Sequence, residues 1–248
     1  MKDFHIHTTF SDGKNTPEEM IKAAIDMGLS DIGFTDHSYT SFDTSYCMPA
    51  EKREEYFEEI NMLKKKYRGR INVLCGIEQD YYADFSSEPY DYVIGGVHYV
   101  FIGGKYIPVD SDPEELEKDV KEYAGGDFLT VCEKYFETVS DVVQKTGADI
   151  IGHFDLICKF NEKNGFFDEN DPRYVAAWKS AADKLLQYNI PFEINTGPIS
   201  RGYKTVPYPN SEMLRYIREK GGKFILSSDS HKKEGICFKF DEYEDYIR

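Results

Sequence analysis

His5 and His7, His37, His98, His153 and His231 are the six histidines of this 248-residue chain, and each stands at or just past the end of a short apolar run. The segments read MKDFHIH, DIGFTDH, YVIGGVH, ADIIGHFD and KFILSSDSH. Three carboxylates accompany them: Asp12 in FSDG, Glu78 in INVLCGIE, and Asp229 two residues before His231. Imidazoles and carboxylates without thiolates form a donor set for zinc, manganese or ferrous iron. Nine such groups exceed the three or four ligands of one catalytic zinc, so two or three divalent ions are expected. Three divalent ions facing only three carboxylates leave a positive site, matched to a phosphate monoester dianion.

The elements that must position these groups follow from the pattern. Strand-like runs fall at about 2–6, 31–35, 71–77, 91–97, 148–152, 191–195 and 223–228. Helical stretches intervene. Thr16-Pro17-Glu18-Glu19 is a capping box opening a helix that runs to Gly28. Further helices are expected over 49–67, 112–124, 127–146, 172–189 and 210–220. Strand alternating with helix implies a parallel sheet with helices outside it. The stretch QDYYADFSSEPYD between the third and fourth strands is too short and irregular for a helix, so the expected barrel is distorted. In such barrels chemistry gathers at the C-terminal strand ends, which is where every metal-type residue lies. His5 and His7, two apart on one strand, point to the same side. A lone His98 or His153 would more often be a hydrogen-bonded core residue; six placed alike are not explained that way.

Composition sets the outer limits. The length suits one α/β domain over 1–248, and 40% hydrophobic with 15% aromatic residues supplies a core. A formal net charge of −15 opposes nucleic-acid or anionic-membrane binding. No apolar run approaches the length of a membrane span. Cys47, Cys75, Cys132, Cys158 and Cys237 are odd in number and lack C-x-x-C spacing, as expected for free thiols of a reducing cytoplasm. The first residues already form a ligand-bearing strand, so no cleaved leader is expected. Ser227, Ser228 and Ser230 near His231 make no triad, because a histidine committed to metal is not a free base. No glycine pair precedes a helix as a phosphate loop would.

With HIHTTFSDG at 5–13, FTDH at 34–37, GIEQD at 76–80, GGVH at 95–98, IGHFD at 151–155, EINT at 193–196 and SSDSH at 227–231, the chain resembles the PHP (polymerase and histidinol phosphatase) family. Within it the chain looks most like the stand-alone histidinol-phosphate phosphatases, through EINTGPISRG at 193–202, the YP at 208–209, and the overall length. The resemblance implies a distorted seven-stranded (β/α)7 TIM-like barrel with three divalent ions, zinc, manganese or iron. One ion would take His5, His7 and Asp229, with Glu78 bridging to a second held by His98 and His153. The third would take Asp12, His37 and His231. Some relatives carry histidine where Asp12 stands, which bears on the metal preferred there.

The expected reaction is direct hydrolysis of a small phosphate monoester, L-histidinol phosphate, by metal-activated water, with Glu78, Asp229 and Arg201 as the catalytic set. Arg201 is expected to clamp phosphate, with Lys159 as a second cation for that duty and Asp155 as a candidate acid for the leaving group. Asp36 and Glu193 are expected to orient ligand imidazoles, and Glu193 and Asp155 to lie near the substrate. Tyr39, Phe42, Tyr99 and Tyr203 are candidates to line a pocket for an imidazole-bearing alcohol. The nearest alternative is another monoester, phosphotyrosine in proteins included. A nuclease and a metal-storing scaffold rank lower, the first for the acidic charge and the second because all nine positions are filled.

Overall fold

The structure is a computed structural model describing residues 1–84 and 88–247; Phe85, Ser86 and Ser87, in the irregular stretch after the third barrel strand, lie outside the described residues. The strands are β1 (Lys2–Asp3), β2 (Asp31–Phe34), β3 (Asn72–Asp80), β4 (Tyr92–Gly96), β5 (Tyr99–Ile102), β6 (Lys105–Pro108), β7 (Ile150–Ile151), β8 (Phe192–Asn195) and β9 (Phe224–Ser227). Seven form one parallel sheet in the order β1-β2-β3-β4-β7-β8-β9. Its two ends meet just past β1 and β9, where Ile6 bridges Ser230. His7 N–H donates to the Ser230 carbonyl at 2.9 Å, and Ser230 N–H donates to the His5 carbonyl at 3.1 Å. The result is a nearly closed α/β barrel.

That seam is reinforced by a side chain. Asp3 is buried, and its carboxylate accepts from Ser228 N–H at 3.1 Å and Cys237 N–H at 2.9 Å. Buried backbone donors without ladder partners need such an acceptor.

Helices cover the outside: α1 (Pro17–Asp26), α2 (Arg53–Lys66), α3 (Pro113–Tyr123), α4 (Phe128–Val139), α5 (Val142–Thr146), the short α6 (Asn161–Asn164), α7 (Pro172–Leu185), the short α8 (Gly197–Ser200) and α9 (Ser211–Glu219). The box at Thr16 and Glu19 is made in both directions, Thr16 N–H donating to Glu19 at 2.9 Å and Glu19 N–H to Thr16 Oγ1 at 3.3 Å. One expected helix breaks. The 127–146 run divides at Ser140 and Asp141 into α4 and α5, where the Thr138 and Ser140 hydroxyls donate to the Lys134 and Glu137 carbonyls at 2.9 and 2.7 Å. Such hydroxyls compete for helix carbonyls and weaken continuation. Just after β4, residues 99–123 form an antiparallel β5–β6 hairpin followed by α3.

Two apolar clusters pack helices against the barrel, one with α1 and α2 beside β2 and β3, the other with α4, α7 and the hairpin. A third, of Tyr92, Ile94 and Ile150 with Phe4, Leu74 and Ile225 against it, lies toward the strand starts. Leu74 shares its strand face with Glu78, and Tyr92 and Ile94 share theirs with Gly96, so this cluster forms the floor beneath the histidines. No helix among the described residues is long and apolar enough to cross a membrane.

Candidate metal centre

The nine residues, supplied by strand ends and the loops just after them, converge on one mouth. Glu78 is the hub. Its Oε2 lies 3.1 Å from His5 Nε2, 3.4 Å from His7 Nε2 and 3.0 Å from His37 Nδ1. Its Oε1 lies 2.7 Å from His153 Nε2 and 3.4 Å from His98 Nε2. Gly96 makes room for this: a Cβ there would sit 2.8 Å from Glu78 Oε1 and 3.1 Å from the His98 ring. Asp229 Oδ1 stands 3.2 Å from His7 Nε2, and Asp12 Oδ2 stands 3.1 Å from His231 Nε2. Asp229 holds φ at +50°, in the left-handed region that aspartate tolerates better than most residues.

Ligand atoms fall within 4.8 Å of one another in three groups: His7, Asp12, His37 and His231; His5, His7 and Asp229; and His37, Glu78 and His98. The first two match the expected partition with His7 shared. The third places His37 beside Glu78 and His98, where His153 had been expected, although His153 also touches Glu78.

These residues suit metal on physical grounds. His7 is wholly buried, and among the described residues neither of its ring nitrogens, nor His153 Nδ1, makes a hydrogen bond. Buried polar atoms are otherwise almost always paired. Burial, then the neighbouring His231 and His37, push the His7 imidazole down to about 3, so it stays neutral and able to donate a lone pair. Burial opposes ionisation of Glu78, but His37, His5 and His98 around it hold its carboxyl well below the usual range.

A ring of buried carboxylates props the ligands from behind. Glu193 Oε1 accepts from His5 Nδ1 at 2.6 Å, and its Oε2 accepts from His153 N–H at 3.0 Å. Asp80 Oδ2 receives His98 N–H at 2.9 Å and lies 3.1 Å from His98 Nδ1. Asp80 was not foreseen, although it sits two residues after Glu78 on the same strand face. Asn195, also unforeseen, donates to Asp229 Oδ2 at 3.2 Å.

Asp36 does something other than expected. Among the described residues it bonds no imidazole; its carboxylate accepts from Thr8 N–H at 2.8 Å, Ser11 N–H at 3.1 Å and both hydroxyls, tying down the loop that carries Asp12.

The cluster floors a cavity of about 340 Å³ whose walls include Arg201, Lys159, Tyr46, Tyr99 and Tyr203. Arg201 donates to the Asp229 carbonyl at 2.7 Å and to Asp229 Oδ2 at 2.9 Å. Lys159 donates to the Asp110 carbonyl at 2.5 Å, and its Nζ stands 4.7 Å from the Tyr203 ring centre. Four substrate-side expectations are corrected. Asp155 is buried away from the cavity because a tight turn follows His153; it accepts from Asn210 N–H at 3.3 Å and faces Lys204 at 4.0 Å. Burial, opposed by Lys204, pushes its carboxyl up to about 6. Glu193 lies behind His5 and His153 rather than on the wall. Tyr39 and Phe42 do not line the cavity, whereas Tyr46 does.

Against known proteins, the model of the PHP domain matches residues 3–197. The chain belongs to the PHP domain family. A protein of Deinococcus radiodurans named "Probable histidinol-phosphatase" is 30% identical over 99% of this PHP chain and 92% of its own length. The "Histidinol-phosphatase" of Bacillus subtilis is 26% identical over 98% and 97%. The crystal structure of histidinol phosphate phosphatase from Lactococcus lactis, complexed with zinc, L-histidinol and phosphate, superposes with a TM-score of 0.71 at 24% identity, covering 94% and 86% of the two chains. The barrel is therefore the PHP fold.

Proposed function

We propose that this PHP protein is a metal-dependent phosphoric monoester hydrolase acting on L-histidinol phosphate, releasing L-histidinol and phosphate in histidine biosynthesis. One observation carries the metal chemistry: a buried glutamate within 3.4 Å of five imidazoles, of which buried His7 makes no hydrogen bond through either ring nitrogen among the described residues. The full-length relatives named as histidinol-phosphatases support the substrate.

Three divalent ions, zinc, manganese or iron, fit the nine donors. His5, His7 and Asp229 would hold one, His98 and His153 a second with Glu78 between, and Asp12, His37 and His231 the third. Bound there, the ions supply Lewis acidity and water activated near neutral pH. The chain's own groups do the rest. Glu193 and Asp80 hold His5 and His98 in place, so the donors need little reorganisation. Arg201, already fixed on Asp229, presents its guanidinium edge to phosphoryl oxygens on which charge grows. Lys159 offers a second cation in the lining, beside Tyr203. Tyr46, Tyr99 and Tyr203 exclude water and present flat faces to an imidazole ring. A cavity of about 340 Å³ suits a small ester better than a phosphotyrosine displayed on a protein. All five cysteines are buried free thiols, consistent with a reducing cytoplasm.

The test is a turnover panel on protein purified without chelators, with elemental analysis alongside. Histidinol phosphate should exceed sugar phosphates and phosphotyrosine peptides in kcat/KM, and metal content should approach three per chain. Preference for any generic ester over histidinol phosphate would remove the substrate assignment.

A further inference from the structure

Two carboxylates outside the nine, Asp43 and Asp110, also line the cavity. Asp110 follows β6 beside the metal-type residues, because Val109 N–H donates to the His98 carbonyl at 2.9 Å. Its Oδ2 lies 3.3 Å from Lys159 Nζ, while Oδ1 makes no hydrogen bond among the described residues. The side chain is 25% exposed and lines the cavity. Asp43 comes from the loop after β2 and is rigidly placed. Ser45 N–H and Oγ donate to its Oδ1 at 3.0 and 2.7 Å, and Tyr99 Oη donates to its Oδ2 at 2.8 Å. Phe42 next to it stacks on Tyr106 of the hairpin, ring centres 4.0 Å apart and 8° from parallel. The loop is thereby pinned against β5–β6.

Two anions on the wall of a site for a phosphate dianion would repel the ligand and weaken it, unless its far end is positive. Among the described residues only Asp110 of the two faces a cation, Lys159. Moreover, Asp43 and Asp110 arrive on the loops after β2 and β6, whereas Arg201 arrives after β8 and is committed to Asp229.

We infer that Asp43 and Asp110 bind the primary ammonium of the substrate, which makes the site selective for phosphate esters of amino alcohols. This rests on the histidinol-phosphate reading and adds which residues enforce it. Lys159 keeps the Asp110 carbonyl and shares Oδ2, leaving Oδ1 for the substrate. The Tyr99 ring, bonded to Asp43, supplies an aromatic face beside the same ammonium.

The probe is the pair histidinol phosphate and its desamino analogue, 3-(imidazol-4-yl)propyl phosphate, with phenyl phosphate as the generic ester. Hydrogen bonds to charged groups are lost when the amine is absent, so wild-type enzyme should prefer histidinol phosphate over the desamino ester at least about tenfold in kcat/KM. D110N should lower that preference about tenfold, mostly through KM, and D43N should lower it less. L-histidinol as an inhibitor should weaken in parallel, with 3-(imidazol-4-yl)propanol unaffected. Melting temperatures show whether each variant folds; should D110N not fold, D43N and the wild-type ratio decide. A wild-type enzyme that favours histidinol phosphate over phenyl phosphate yet ignores the amine overturns the inference and leaves the function standing. So do variants that keep the full preference. If wild-type enzyme handles phenyl phosphate as well as histidinol phosphate, the function itself fails.

Discussion

Replacing Glu193 by glutamine isolates the support behind the metal centre. The side chain is fully buried, and its two oxygens serve different partners. Oε1 takes His5 Nδ1 at 2.6 Å, and Oε2 takes His153 N–H at 3.0 Å with Asn195 Nδ2 at 3.3 Å. Glutamine keeps the shape but has one oxygen. If that oxygen faces His5, the amide NH2 confronts the His153 N–H, donor against donor. If it faces His153, the NH2 donates to His5 Nδ1 and drives the proton onto Nε2, the nitrogen 3.1 Å from Glu78. Either way one charge-assisted hydrogen bond is lost, about 1.5–3 kcal/mol, or roughly 10–100-fold in the affinity of the ion proposed at His5. The assay is competition with a chelator of known affinity, followed by kcat/KM at saturating metal. A glutamate that only filled space would change the melting temperature and leave metal affinity alone. Wild-type metal retention in the folded E193Q variant would therefore refute the positioning role.

Glu78→Gln should abolish most turnover and lower metal content by at least one ion, read by elemental analysis; near-normal activity would dispose of the bridging role. Asp36→Ala removes the acceptor for Thr8 and Ser11, so the loop bearing Asp12 should loosen and the metal content fall by one ion, with the remainder retained. Asp3→Ala strands the Ser228 and Cys237 amides at the barrel seam and should cost on the order of 3 kcal/mol in denaturant unfolding. The five cysteines should resist a thiol reagent at pH 8 in the native protein and all react once unfolded, since burial pushes the Cys75 thiol up to about 12 and raises the others. A fast-reacting native thiol would contradict that.

The barrel was legible because its strands are short apolar runs in a parallel sheet buried on both faces, each closed by a residue type that belongs at a mouth. All seven expected runs carry strands of the barrel sheet. What escaped was length: β1 and β7 are two residues each, and past Asp3 the chain bonds through side chains and a bridge rather than a ladder. The break between α4 and α5 was hidden for a similar reason. Hydroxyls at Thr138 and Ser140 read as ordinary helix surface until their bonds to the helix carbonyls are seen.

The supporting residues divide according to whether strand parity still holds where they sit. Glu78 and Asp80 both lie within β3, two apart, so Asp80 had to share the face of Glu78 and could have been assigned to a ligand imidazole from spacing alone. Glu193 and Asn195 obey the same rule on β8 and both reach the centre. Asp36 and His37 lie past the end of β2, but His37 still bridges Glu78 in strand fashion, so with His37 in the mouth Asp36 points away from it, toward the Thr8–Ser11 loop. Adjacency by itself thus argues against an imidazole-orienting role for Asp36. Asp155 is two residues past His153, but β7 ends at Ile151 and a 3₁₀ turn begins at Leu156. Parity no longer applies there, and the carboxylate turns to Lys204 and Asn210 instead of the substrate. Asp43 and Asp110 lie beyond any strand's reach; only the loop after β2 folding onto the hairpin brings them to one cavity, and no periodicity in the chain encodes that meeting.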